Sequence, residues 1–229
     1  MIVGKTVSEC IGTAFLLIIV VGSGIMGENL SQGNEAVALL ANSIATGAGL
    51  FVLIQCLGPI SGAHLNPVVS MIEMLWGRLQ VKEMLAYWAA QFLGAIAGVF
   101  ATHIMFNQTI LQISEKSREG FHLGFSEFIA TFGLIAVIAL GGRKRVEWAP
   151  MTIAAYITGA YWFTSSTSFA NPAVTLARSL TNTFCGIAPA GIWVFFVGQI
   201  LGAIAAYVLI RSSTTSLSEI FTPHQERHK

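Results

Sequence analysis

The chain repeats itself. The stretch SECIGTAFL at 8–16 returns as SEFIATFGL at 126–134, HLNPVVS at 64–70 returns as FANPAVT at 169–175, and QFLGAIAG at 91–98 returns as QILGAIAA at 199–206. Three matched pairs in the same order mean that one structural unit is used twice, so each half must fold as the other does. Glu9 and Glu127 are 118 residues apart, Asn66 and Asn171 are 105, and Gln91 and Gln199 are 108. The slack falls in the loops, mostly in the polar connection 27–35 of the first half.

The solvent of this repeated unit follows from composition. Of 229 residues, 54% are hydrophobic and only 10% are charged, against roughly 25% charged in a soluble domain. Apolar segments at 7–26, 36–57, 84–105, 125–141, 149–166 and 191–210 approach the ~20 residues that cross a bilayer. The first carries no small-residue cleavage pattern and more spans follow it, so it reads as a transmembrane helix and not a signal peptide.

Six spans leave both termini on one side. Lys5, Arg78, Lys82, Arg143, Lys144, Arg145 and Arg211 then share that side, against Lys116, Arg118 and Arg178 opposite. The positive-inside rule makes the richer side cytoplasmic, as expected in a bacterial inner membrane. The segments 66–76 and 171–180 are too short to span. A ten-residue helix rises about 15 Å, half of the ~30 Å hydrocarbon layer. The first hangs from the cytoplasmic side and the second from outside, the arrangement of an inverted repeat. The expected fold is an all-α membrane protein of six transmembrane helices and two re-entrant half-helices. Residues 1–106 form the first repeat, 107–123 an extracellular loop, 124–211 the second repeat and 212–229 a disordered cytoplasmic tail.

Composition also removes function classes. All eleven acidic residues are glutamate, which takes away Asp-based metal sites. A net charge of +1 leaves no nucleic-acid footprint. Cys10, Cys56 and Cys185 fit neither a disulfide framework nor a CxxC site, and His224 and His228 are too sparse for a metal centre. No enzyme, cofactor or bound metal is expected.

What remains is the pair Asn66-Pro67 and Asn171-Pro172. Asparagine is a preferred N-cap and proline fits the first helical turn, so each pair starts a half-helix at the membrane midplane. Approach loops 58–65 and 164–170 can exist at that depth only where protein buries them or water lines them. Two helix N-termini place about half a positive charge apiece there, which repels cations and leaves a conduit for neutral molecules.

Together with Ser61-Gly62-Ala63-His64, Glu9, Glu127, Gln91 and Gln199, the motifs Asn66-Pro67-Val68 and Asn171-Pro172-Ala173 closely resemble those of the major intrinsic proteins, the aquaporins and aquaglyceroporins. The resemblance runs from Val7 to about Ile210. It implies a homotetramer of independently conducting subunits in membrane lipid, carrying water and small neutral solutes. It implies that the carbonyls of Gly62, Ala63, His64 and Phe169 line the path, and that Glu9 and Glu127 brace the re-entrant loops. Val68 departs from the usual alanine. His64 is either a fixed pore-lining residue or a pH sensor.

The family's outer filter carries over by spacing to Thr46, Gly159, Ser168 and Val174. Most members have arginine where Val174 stands, so this ring is wider and uncharged. The replacement, followed by TLARSL, resembles bacterial aquaglyceroporins associated with arsenic resistance, which adds arsenite and methylated arsenicals to glycerol and urea as expected solutes. Arg178 falls four residues after Val174, on the same helix face one turn further out. It either reaches the outer vestibule and attracts anions or hydroxylated acids, or snorkels to the interface or ties down a neighbouring loop. The rival reading is a proton- or sodium-coupled transporter in which Glu9 or Glu127 titrates.

Overall fold

The computed structural model describes residues 2–141 and 146–221. Its helices in chain order are α1 (Ile2–Leu30), α2 (Glu35–Ser61), α3 (Pro67–Leu75), α4 (Val81–Met105), α5 (Phe121–Gly141), α6 (Ala149–Phe163), α7 (Pro172–Arg178) and α8 (Ile192–Phe221). Five of them, α1, α2, α4, α5 and α8, are long and apolar enough to cross a bilayer. The fifth span in sequence order, α6, has 15 residues and follows a 3₁₀ turn at Val146–Trp148. The expected span 149–166 is shortened because the chain leaves the helix at Thr164 with extended backbone.

Two further differences concern element ends. α2 continues through Pro59 to Ser61, so the first approach loop is only 62–65 and not 58–65. α8 runs to Phe221, so 212–221 is helical and not a disordered tail; the remaining tail, with His224 and His228, lies outside the described residues, as do Arg143, Lys144 and Arg145.

The halves are built alike. α1 packs along α4 and α5 packs along α8, and in both pairs glycine brings the backbones together. A Cβ on Gly94 would sit 2.1 Å from the Cys10 carbonyl oxygen and one on Gly98 2.2 Å from that of Ala14. In the second half, a Cβ on Gly198 would sit 2.2 Å from the Gly124 carbonyl oxygen and one on Gly202 2.3 Å from that of Phe128. Small residues four apart permit such close helix contact in membranes, where association rests on packing and not on the hydrophobic effect.

Against these pairs hang the two half-helices, each entered through a loop of unusual backbone. Gly62, Ala63 and Leu65 have φ of 88°, 47° and 49°, and Thr167, Ser168 and Ala170, each 105 residues later, have 61°, 49° and 47°. Left-handed backbone costs a non-glycine residue roughly 1–2 kcal/mol. A buried carboxylate holds each loop in place. Glu9 accepts from the backbone N–H of His64 at 2.9 Å and of Leu65 at 2.6 Å, from Ser61 Oγ at 2.7 Å and from Gln91 Nε2 at 2.8 Å. Glu127 accepts from Phe169 N–H at 2.9 Å, Ala170 N–H at 2.7 Å and Gln199 Nε2 at 2.6 Å. Both glutamates and both glutamines are fully buried. Each glutamine also donates into its half-helix, Gln91 to Ser70 Oγ and Gln199 to Thr175 Oγ1.

Two substitutions test these supports. Gly94→Ala forces its methyl onto a backbone oxygen and should lower the melting temperature of the detergent-purified protein by about 5 °C. Gly58→Ala, which meets nothing within 4 Å, should not. Glu9→Leu strands four buried donors at about 1–3 kcal/mol each and should cost roughly 10 °C or more; a variant that melts like wild type would mean the loop does not depend on the carboxylate.

Candidate conduction site

The half-helices meet at their capping asparagines. Asn66 Oδ1 accepts from Val68 N–H at 3.0 Å, and Asn171 Oδ1 accepts from Ala173 N–H at 3.0 Å and Val174 N–H at 3.3 Å. With its amide, each then reaches across the repeat axis. Asn66 Nδ2 donates to the Ala170 carbonyl and Asn171 Nδ2 to the Leu65 carbonyl, both at 2.8 Å. A carboxamide has two N–H donors, so one on each asparagine is left to face the cavity that both residues line.

That cavity has a volume of about 270 Å³ and touches Glu73 at one end and Arg178 at the other. Gly62, Ala63, His64 and Phe169 line it, whereas Pro67, Val68, Pro172 and Ala173 sit behind it in the protein. Val68 is buried among α5, α6 and α8 residues, so the departure from alanine alters packing and not the lumen. His64 Nδ1 lies 3.0 Å from Ser70 Oγ and its ring meets Tyr87 edge-on at 5.2 Å.

Peptide geometry aims the loop carbonyls. In a trans peptide the N–H and the preceding C=O point in opposite directions. The N–H groups of His64 and Leu65 turn toward Glu9, so the carbonyls of Ala63 and His64 turn away from it, toward the lumen. The same pairing turns the carbonyls of Ser168 and Phe169 away from Glu127.

Three of the four filter positions converge on the cavity: Thr46, Ser168 and Val174. Gly159 does not. It is exposed and a Cβ there would meet only Phe163, at 4.0 Å. It shares the outward face of α6 with Met151, Ala155 and Trp162. Tyr161 lines the cavity instead; it is buried and donates its hydroxyl to Thr46 Oγ1 at 3.2 Å. Counting back from Asn171 lands on the outward face of α6, away from the residues that line the cavity. The spacing Ile153, Ile157, Tyr161 was the available signal, since residues four apart share a helix face. Ser168 Oγ is buried with no hydrogen-bond partner among the described residues.

Arg178 lines the cavity and is only 2% exposed. Its Nε donates to the Cys185 carbonyl and its guanidinium lies 3.4 Å from the centre of the Phe169 ring. It thus ties down the loop and borders the pore at once. Cys185 is fully buried, its thiol against the Val20 carbonyl. Two charged residues were missed. Glu73 stands seven positions after Asn66, as Arg178 stands seven after Asn171, so the repeat itself marked it. Arg118, in the loop between α4 and α5, had no such marker.

A family model described as major intrinsic protein matches residues 1–209. The aquaglyceroporin AqpS of Rhizobium meliloti (strain 1021) is 51% identical over 207 residues, covering 90% of this chain and 88% of that one. The aquaporin NIP2-1 of Oryza sativa subsp. japonica is 31% identical over 222 residues, covering 92% and 72%. Among solved structures, the aquaglyceroporin from Plasmodium falciparum superposes with a TM-score of 0.77 at 18% identity, over 96% of this chain and all of that one. A repeat that joins two half-helices through their asparagines around one lumen, matched along almost its whole length, places this chain in the major intrinsic protein family of membrane channels, which are not enzymes.

Proposed function

We propose that the protein passes water, glycerol, urea and comparably small neutral hydroxylated solutes, arsenite as its neutral hydroxide and methylated arsenicals included, passively down their gradients. The observation that carries this reading is the composition of the ring: Thr46, Tyr161, Ser168 and Val174 offer hydroxyls on one side and an apolar wall on the other, with no charge at position 174. The unpartnered Ser168 hydroxyl and the loop carbonyls provide donors and acceptors to a polyol. Leu16, Val20, Leu50 and Ile54 face its carbon side.

A coupled transporter is less well supported. Glu9 and Glu127 have their oxygens filled by donors from the loops they brace, so protonating either during transport would dismantle the pore. Orientation is proposed from the basic residues, with both termini in the cytoplasm and the Arg178 mouth outside. The names of the relatives support glycerol as a solute, a bacterial relative supports a plasma membrane, and the family resemblance supports a homotetramer, whose contacts would use exposed apolar faces such as Phe121, Phe125, Trp193 and Leu201.

Stopped-flow light scattering on proteoliposomes tests the reading. Wild type should pass glycerol and urea as well as water. Val174→Arg should cut glycerol and urea permeability by about tenfold, an added barrier of about 1.4 kcal/mol, while sparing water. Gly159→Ala should leave all three fluxes unchanged and Tyr161→Ala should raise those of the larger solutes. Glycerol flux indifferent to Val174→Arg would refute the filter assignment.

A further inference from the structure

Arg178 and Arg118 share one anchoring scheme. Arg178 Nε donates to the carbonyl of Cys185, and Arg118 Nε donates to that of the next residue, Gly186, at 2.9 Å. Both guanidinium groups lie over the Phe169 ring, 3.4 Å and 5.4 Å from its centre. Two cations from separate elements, one on α7 and one on the connecting loop, are thereby held against one aromatic ring, Arg178 lining the cavity and Arg118 standing behind that lining.

Their charge meets only longer-range attraction among the described residues, as that of Glu127 for Arg118. Among the described residues neither arginine forms an ion pair, and neither has an acceptor for its terminal nitrogens. The nearby cation Lys116 is matched by Glu28 at 3.7 Å. At the opposite mouth the repeat-equivalent Glu73 is matched by Arg78 at 3.1 Å. Burial first, and Arg178 second, hold Arg118 down to about 10, so it stays protonated at neutral pH and the repulsion persists. Two like charges held together, with the donors of their forks unspent, lack a counter-ion.

We propose that Arg178 and Arg118 bind a small monovalent oxyanion of the carboxylate class at the outer mouth of the pore. The planar guanidinium fork matches a carboxylate with two parallel hydrogen bonds, and Phe169 fixes both forks in place by stacking. Ser168 Oγ, buried and unpartnered, lines the same cavity as Arg178 and adds a neutral donor. Stationed there, the arginine pair supplies one turn further out the positive charge that position 174 lacks. An anion that occupies it obstructs the entrance. This inference rests on the channel reading only for where the site lies on the path.

The test uses the full-length protein in proteoliposomes near neutral pH, with acetate on both sides, and compares glycerol permeability with that in acetamide, its neutral isostere, and in chloride at equal ionic strength. In wild type, acetate should lower the glycerol rate saturably to half or less, and acetamide and chloride should not. In Arg118→Gln, and in Arg178→Gln where it folds, the ratio of rates with and without acetate should return to one, whatever the absolute rate. Line broadening of ¹³C-acetate by detergent-solubilised protein reads the same site without any flux and should vanish in Arg118→Gln. Absence of glycerol flux with acetate broadening intact would overturn the channel reading and keep the site. No broadening in wild type, broadening that survives Arg118→Gln, or an equal effect of chloride would overturn the site.

Discussion

Everything in this pore depends on two buried carboxylates taking the N–H groups of two loops. Left to themselves, those loops would not keep three left-handed residues each in a place where water cannot satisfy the backbone. Glu9 and Glu127 accept the N–H groups, and planarity then commits the partner carbonyls to the lumen. The brace that stabilises the loop and the acceptors that replace a solute's hydration are thus two ends of the same peptides. A buried carboxylate is costly unless its lone pairs are filled.

Electrostatics along the path follow from a second shared element. The asparagine that caps its own half-helix also donates across the axis to the other half, so the two N-termini cannot separate without losing both bonds. Their fixed partial charges sit face to face at the centre and disfavour a cation there. Family members with a filter arginine add a full charge close outside that point; this chain substitutes Val174 and carries its arginine at 178. On the proposed filter assignment, a cation one turn further out separates two duties that one residue otherwise performs, narrowing the ring and setting its charge.

Legibility in the sequence tracked the repeat closely. Spans, half-helices, braces and carbonyl-bearing loops each appear twice, and Glu9, Asn66 and Gln91 each point to a partner in the second half. Inference by the resembling family's spacing was less secure. It gave Gly159, whereas the side of α6 that lines the cavity carries Ile153, Ile157 and Tyr161, on a helix that ends at Phe163 before Thr164. Helix termination there is a packing outcome, with Thr164 Oγ1 returning to the Ala160 carbonyl at 2.6 Å, and no breaker residue marks it. Arg118 was illegible for another reason, since nothing in a loop's sequence states which carbonyl, 68 residues on, its guanidinium will find.

Divergence between the halves explains why the two mouths differ although the scaffold is nearly two-fold. Position seven of each half-helix faces the lumen, and there the first half carries Glu73 and the second Arg178. Helix polarity favours a cation at such a C-terminal turn, so Arg178 sits with the α7 dipole and Glu73 against that of α3. Arg78, just beyond α3, removes the conflict by pairing with Glu73. Among the described residues no acidic side chain does the reverse for Arg178; a second cation is brought in instead. Symmetric backbone with unsymmetric charge gives the channel one mouth that is electrically balanced and one that is not, and the unbalanced mouth is the one above the filter.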